Sequence, residues 1–321
     1  MTDTPAASRR HIRAVRSPRS LRYGIGLLLL LVAVVLVYTQ RASLTAVIEL
    51  SWTYLTLSLL MAFAGIGAVA WGQKTVLCLT GVKVSHLENL ALTSLSMMLN
   101  KVLPFQGGTL SRYGYLRHQY DMEFSRFLAG VVIWLAVSVF FAGLIGLAAV
   151  GFGWISQERL SGIFGGIFLA QVLAAIIVVK SQNLLGLVFS RLFGLKSWME
   201  TWQRFDLRDA GIQLAGPALL NCVFYIVQIL VAFQALSLEI RVLDAVLAGV
   251  LLYTLSRWAI TPGNLGVREM FFAATFGAMG YAVEQAISVA FVGLVAHLIA
   301  ATILGLLLQS TVSRKLVADQ G

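Results

Sequence analysis

Apolar runs of about twenty residues recur along this chain, each long enough to cross a bilayer as an α-helix. The candidate spans are Tyr23–Gln40, Leu50–Trp71, Arg126–Val150, Gly162–Val179 and Gly211–Leu238, then Asp244–Ile260, Glu269–Tyr281 and Gln285–Gln309. The sixth and seventh are short, and a Thr-Pro-Gly-Asn turn separates them. A further helix, Asn89–Leu103, is interrupted by polar residues and ended by Pro104, which predicts a re-entrant segment. The fold class predicted is all-α, a polytopic transmembrane bundle of about eight spans plus that segment.

Composition agrees with lipid as the solvent. Hydrophobic residues make up 59% of the 321 and charged residues 12%, whereas a soluble domain carries about 25% charge. Mean hydropathy is +0.84. No linker or independent domain is visible, so the division expected is a basic tail over 1–22, one transmembrane domain over 23–309 and a short tail over 310–321. Cys78 and Cys222 sit in apolar surroundings and read as small core residues. No Cys/His ligand spacing, HExxH, GxSxG or Walker loop occurs, so neither metal, cofactor nor catalytic residue is expected.

The net charge of +10 is distributed unevenly. Arg9, Arg10, Arg13, Arg16, Arg19 and Arg22 precede the first span, which reads as a cytoplasmic tail on anionic lipid rather than a nucleic-acid arm. Lys101–Arg126, Lys180–Arg208 and the last tail are also rich in Lys and Arg, while the alternate loops hold only Arg41, Arg159 and Arg241. That asymmetry predicts a multi-pass protein of the inner membrane with both termini cytoplasmic. The absence of a cleavage site after Tyr38 predicts an uncleaved first helix. Trp198 and Trp202, four apart in the polar stretch Arg191–Asp209, suit a short interfacial helix.

Two broken segments stand out. Asn100–Arg112 contains Pro104, Gly107 and Gly108; Arg257–Glu269 contains Pro262, Gly263 and Gly266. In each a helix ends near a basic residue, a Pro/Gly turn follows, and another helix opens with Arg112 or Arg268 nearby. Either these are two ordinary surface loops, or they line a transporter-type binding site whose helix ends and arginines face an anion. Polar stripes accompany them. Asn89, Thr93, Ser96 and Asn100 share one helical face, as do Asn221, Tyr225 and Gln228. Such faces either join helices or border a wet cavity. His297 reads as a bond to a neighbouring helix and Glu284 as structural; Glu269, at a helix start, suits capping or a titratable role.

The stretch Asn100–Arg117, with Pro, paired Gly, Arg and Tyr115-Leu116-Arg117, resembles the first signature of the flippase-like proteins related to the transmembrane region of lysylphosphatidylglycerol synthase. Thr261–Glu269 is similar to their second, Pro-Gly-x-Leu-Gly-Val-Arg-Glu, and the resemblance covers about Leu21–Gln309. It implies inverted repeats with re-entrant segments that move a large-headed lipid between leaflets. Many members carry Gly-Glu in the first motif; here Thr109 follows Gly108, leaving Glu269 as the carboxylate candidate. Only Thr311–Gly321 follows the last span, so synthase activity is not expected and the protein is expected not to be an enzyme. The function expected is transport of an anionic or glycan-linked lipid in envelope biogenesis. Arg112 and Arg268 would hold phosphate with amides of Gly107, Gly108, Gly263 and Gly266. The partners expected are membrane lipids, phosphate-containing or polyprenyl-linked, and envelope biosynthesis enzymes, with no nucleic acid. The alternative is a non-transporting scaffold subunit for an envelope lipid or polysaccharide enzyme. A lipid-modifying transferase would need a donor site that no motif supplies.

Overall fold

In a bilayer every backbone N–H and C=O must be satisfied within the protein, and apolar runs of this length therefore close into helices. The computed structural model describes residues 52–103, 106–151, 158–181, 206–257 and 267–318. Its helices are α1 (Trp52–Leu79), α2 (His86–Val102), α3 (Gly107–Tyr120), α4 (Phe124–Gly151), α5 (Glu158–Lys180), α6 (Leu207–Ala235), α7 (Val242–Leu255), α8 (Val267–Ala278) and α9 (Val283–Ala318). No strand occurs among the described residues. The expected span Tyr23–Gln40 and residues 191–205 of the expected interfacial helix lie outside the described residues.

Among the described residues, α1, α4, α5, α6 and α9 contain stretches long and apolar enough to cross a membrane. The polytopic helical bundle expected from hydropathy is thus present, with a different division of roles. Helices α7 and α8 have 14 and 12 residues. At 1.5 Å per residue they reach only about 21 and 18 Å, short of the roughly 30 Å hydrocarbon core. The segments expected as the sixth and seventh spans are instead the two arms of a hairpin, matching the one made by α2 and α3.

The arms of the first hairpin run antiparallel and are joined at three levels. At the base, Tyr115 and Tyr120 both donate to Glu88 Oε1, at 2.8 and 2.7 Å. Further in, Arg112 Nη2 donates to Asn89 Oδ1 at 2.8 Å. Near the tip, the Thr109 amide donates to Asn100 Oδ1 at 3.2 Å. Glu88 has no exposed surface, and a buried carboxylate is tolerable only when hydrogen-bonded in this way. Ser85 caps α2 by accepting from the Glu88 amide, which places that carboxylate in the first turn. Gly108 lets the arms touch: a Cβ there would lie 2.0 Å from the Ser96 carbonyl oxygen.

The second hairpin is closed by the same chemistry. Asp244, in the first turn of α7, accepts from the Tyr281 hydroxyl at 2.7 Å. Tyr281 lies beyond the end of α8, where burial and then the bond to Asp244 hold its phenol above the ordinary range. Between the arms, Ala245, Ala248 and Leu252 pack with Phe272 and Phe276.

These parts repeat. A long helix, a two-armed hairpin and another long helix occur as α1–α4 and again as α6–α9. Packing follows the same map: α2 lies on α9 as α7 lies on α4, and α1 contacts α4 as α6 contacts α9. Helix ends match as well. Gly81 after α1 and Ser237 after α6 are both left-handed, with φ of 85° and 54°. Each is followed by an amide that reaches back five residues, Val82 to Leu77 and Leu238 to Phe233, both at 2.9 Å. The equivalent helices α1 and α6 pack antiparallel, with Gly65 beside Asn221 and Trp71 beside Gly216. Antiparallel packing of equivalent helices means that the repeats are inverted. Helix α5 stands outside the repeat and packs on α4.

Replacing Gly108 by Val is expected to destabilise the detergent-solubilised protein by about 1–3 kcal/mol, since its Cβ would meet backbone. Gly114→Ala, in open space on the same helix, should be neutral or mildly stabilising. Thermal unfolding of the two variants checks this; equal stability would show that the arms do not touch at Gly108.

Candidate functional site

Inversion brings the tip of the first hairpin to the end of α7 in the middle of the bundle. Gln106, at the tip of the first, donates from Nε2 to the Arg257 carbonyl of the second at 3.3 Å. Gln106 itself is left-handed, with φ 55°, and caps α3 without a side-chain bond to it. That conformation is uncommon outside glycine, and here the side chain reaches across to the other repeat. Gly65, Asn221 and His297, near the midpoints of their spans, border the same region: a Cβ at Gly65 would lie 3.9 Å from Asn221 Oδ1 and from His297 Nε2.

A cavity of about 310 Å³ occupies this position. Its polar lining includes Gln73, Thr93, Ser96, Asn100, Thr109, Asn221 and Tyr225. Its apolar lining includes Val69 from α1 and Phe127, Val131, Trp134 and Leu135 from α4. Four basic side chains line it: Lys101 and Arg112 from the first hairpin, Arg257 and Arg268 from the second. His297 from α9 joins them, and among the described residues no Asp or Glu lines the cavity.

Local structure positions each cation. Arg112 is held through Nη2 by Asn89, whose amide donates to the Ala70 carbonyl at 2.6 Å, so the guanidinium is tied to α1 through α2. Its Nε has no partner among the described residues. Arg257 lies over the Tyr253 ring at 4.4 Å and Arg268 over Phe272 at 5.4 Å. Their Nε atoms also lack a partner among the described residues. Tyr253 in turn accepts from Asn221 Nδ2 at 3.0 Å. Glu269 is buried outside the lining and acts electrostatically on Lys101, as Arg268 does.

Grouped charges of one sign are costly here. At an effective dielectric of about 20, unit like charges about 4 Å apart repel by about 4 kcal/mol, and the repulsion falls inversely with distance. Basic groups inside a membrane protein face a cavity or one another, and they persist where a counter-charge enters. The arrangement groups basic side chains with apolar ones from α4 around one cavity.

Of the residues expected from sequence, Arg112, Arg268, Asn100, Asn221 and Tyr225 converge on the cavity. Gln228 is buried near Gly293 rather than in the lining. Gly107 and Gly108 open α3 and serve close packing, against Leu103 and against Ser96 and Asn100, and are not lining residues. Glu269 stands behind the wall. Pro104, Pro262, Gly263 and Gly266 lie outside the described residues. Lys101, Arg257 and His297 were not among the site residues expected. For Lys101 and Arg257 a signal was in the spacing, since Lys101 and Arg112 are 11 residues apart, as are Arg257 and Arg268; His297 had none.

A family model described as the lysylphosphatidylglycerol synthase TM region matches residues 23–305. No curated protein and no solved structure matches the chain.

The meeting of the tips is open to cross-linking. In a chain with Cys78 and Cys222 replaced by alanine, Gln106→Cys paired with Arg257→Cys should be bridged rapidly by a short bifunctional thiol reagent. Arg117→Cys paired with Arg257→Cys should not, because Arg117 lies about 15 Å further along α3 from its tip. Equal yields would mean that the hairpins do not meet tip to tip.

Proposed function

The chain belongs to the family of the lysylphosphatidylglycerol synthase transmembrane region, and from that membership we propose that it moves a phosphate-bearing lipid between leaflets in envelope biogenesis. The observation that carries this is the cationic cavity where Gln106 of the first hairpin meets Arg257 of the second, lined by both polar and apolar side chains. A lipid crossing a bilayer must take its charged head through the hydrocarbon while its tails remain in apolar surroundings. Fixed cations at mid-depth lower the desolvation cost of that head. The apolar wall of α4 accommodates the start of the tails.

In this role Arg112 and Arg268 contact phosphate oxygens through charge-assisted bonds. Lys101 and Arg257 add charge from the other arm of each hairpin. Asn100, Asn221 and Tyr225 supply neutral donors. Glu269 competes electrostatically for Lys101 and Arg268, which favours release. The two hairpins enter from opposite faces, so the head can pass from one repeat's cations to the other's. The Lys/Arg asymmetry supports a plasma-membrane protein with both termini in the cytoplasm.

Proteoliposomes holding a fluorescent anionic phospholipid, quenched from outside by dithionite, test the proposal. The wild-type protein should equilibrate the leaflets faster than protein-free vesicles. Arg112→Ala and Arg268→Ala should each slow it about 10- to 100-fold, corresponding to about 1.5–3 kcal/mol per charged hydrogen bond. An unchanged rate in both variants would remove these residues from the site. A wild-type rate equal to that of empty vesicles would overturn transport and leave the scaffold role.

A further inference from the structure

Resting on the lipid-transport reading, we infer that the head this cavity accepts carries at least two negative charges on phosphate, as a phosphomonoester or a pyrophosphate, and not the aminoacylated head that the family description names. Charge balance makes the argument. Lys101, Arg112, Arg257 and Arg268 line one cavity, and no carboxylate among the described residues lines it with them. Glu269 is buried nearby, outside the lining. The basic side chains that line this cavity of about 310 Å³ therefore outnumber the one acid near it among the described residues. A phosphodiester supplies one negative charge and leaves a surplus. A lysyl-esterified phosphodiester has two ammonium groups and one phosphate charge, and it would add to the surplus.

Hydrogen bonding points the same way. The Nε–H groups of Arg112, Arg257 and Arg268 are buried and have no partner among the described residues, and Arg112 as a whole is 6% exposed. Buried donors of this kind call for acceptors. A diester offers two non-bridging oxygens, while a phosphomonoester offers three and a pyrophosphate more. The donors also come from both repeats, two cations from each hairpin, so a ligand with several charged oxygens satisfies both halves at once. The apolar wall formed by Phe127, Val131, Trp134 and Leu135 fits a lipid-linked source of that phosphate, and the test separates it from a free ion.

The full-length protein in detergent is titrated at pH 8, where a phosphomonoester, with its second pKa near about 6, is close to doubly charged. Tryptophan emission is the readout, since Trp134 lines the cavity. The probes are short-chain phosphatidic acid, phosphatidylglycerol, lysylphosphatidylglycerol and inorganic pyrophosphate. Phosphatidic acid should bind about 10-fold or more tighter than phosphatidylglycerol, and the lysyl lipid should not compete. The double variant Lys101→Gln, Arg257→Gln should lose most of that preference while still binding phosphatidylglycerol, which also shows that it folds. Lys101→Arg with Arg257→Lys should restore it.

Equal affinity for the two anionic lipids, competition by the lysyl lipid, or a preference that survives in the double Gln variant would each overturn the inference. Pyrophosphate that displaces phosphatidic acid at comparable concentration supports the charge assignment and identifies a soluble source. The two readings fail separately. Intact preference with no leaflet exchange overturns transport alone, and exchange without preference overturns this inference alone.

Discussion

A membrane interior supplies no water to a broken helix, and that constraint governs this structure. The tip of the first hairpin frees backbone groups, which in a membrane are acceptable only if buried in protein or facing a polar cavity. The Gln106 side chain meets that demand across the repeat boundary by donating to the Arg257 carbonyl. The rest of the bundle holds the tips where this bond can form. α1 and α6 set the axis, α4 and α9 brace the opposite hairpins, and an acid–tyrosine bond closes each hairpin base.

The same environment explains the site. Cations in low dielectric are expensive alone and more expensive together. Here they are held by neighbours that neutralise little: an asparagine for Arg112, aromatic faces for Arg257 and Arg268. Such contacts orient a guanidinium without consuming its charge, which stays available to a ligand. Glu88 and Asp244 occupy the far ends of the hairpins and are taken up by tyrosines there. The acids hold the frame and the bases face the cavity.

Inversion relates two halves of opposite orientation, each with a long helix, a hairpin and another long helix. The match is not complete, because the first hairpin has arms of 17 and 14 residues and the second of 14 and 12. Arg112 also lies deeper along its arm than Arg268 does, the sixth residue of α3 against the second of α8.

By itself the sequence determined the solvent, the long helices, the broken segments and the polar faces of α2 and α6. All of these depend on local composition and on helical period, which neighbouring residues encode. It also marked Asn100, Arg112, Asn221, Tyr225 and Arg268, because each lies on a polar face or beside a break. Only the tertiary structure decided that the segments after Asp244 form a hairpin, since an apolar stretch reads alike whether it crosses or turns back. Packing alone brought Lys101, Arg257 and His297 to one cavity and left Glu269 behind its wall. Those residues belong to elements up to about 200 positions apart, and their convergence follows from the antiparallel packing of α1 on α6, which no local pattern specifies.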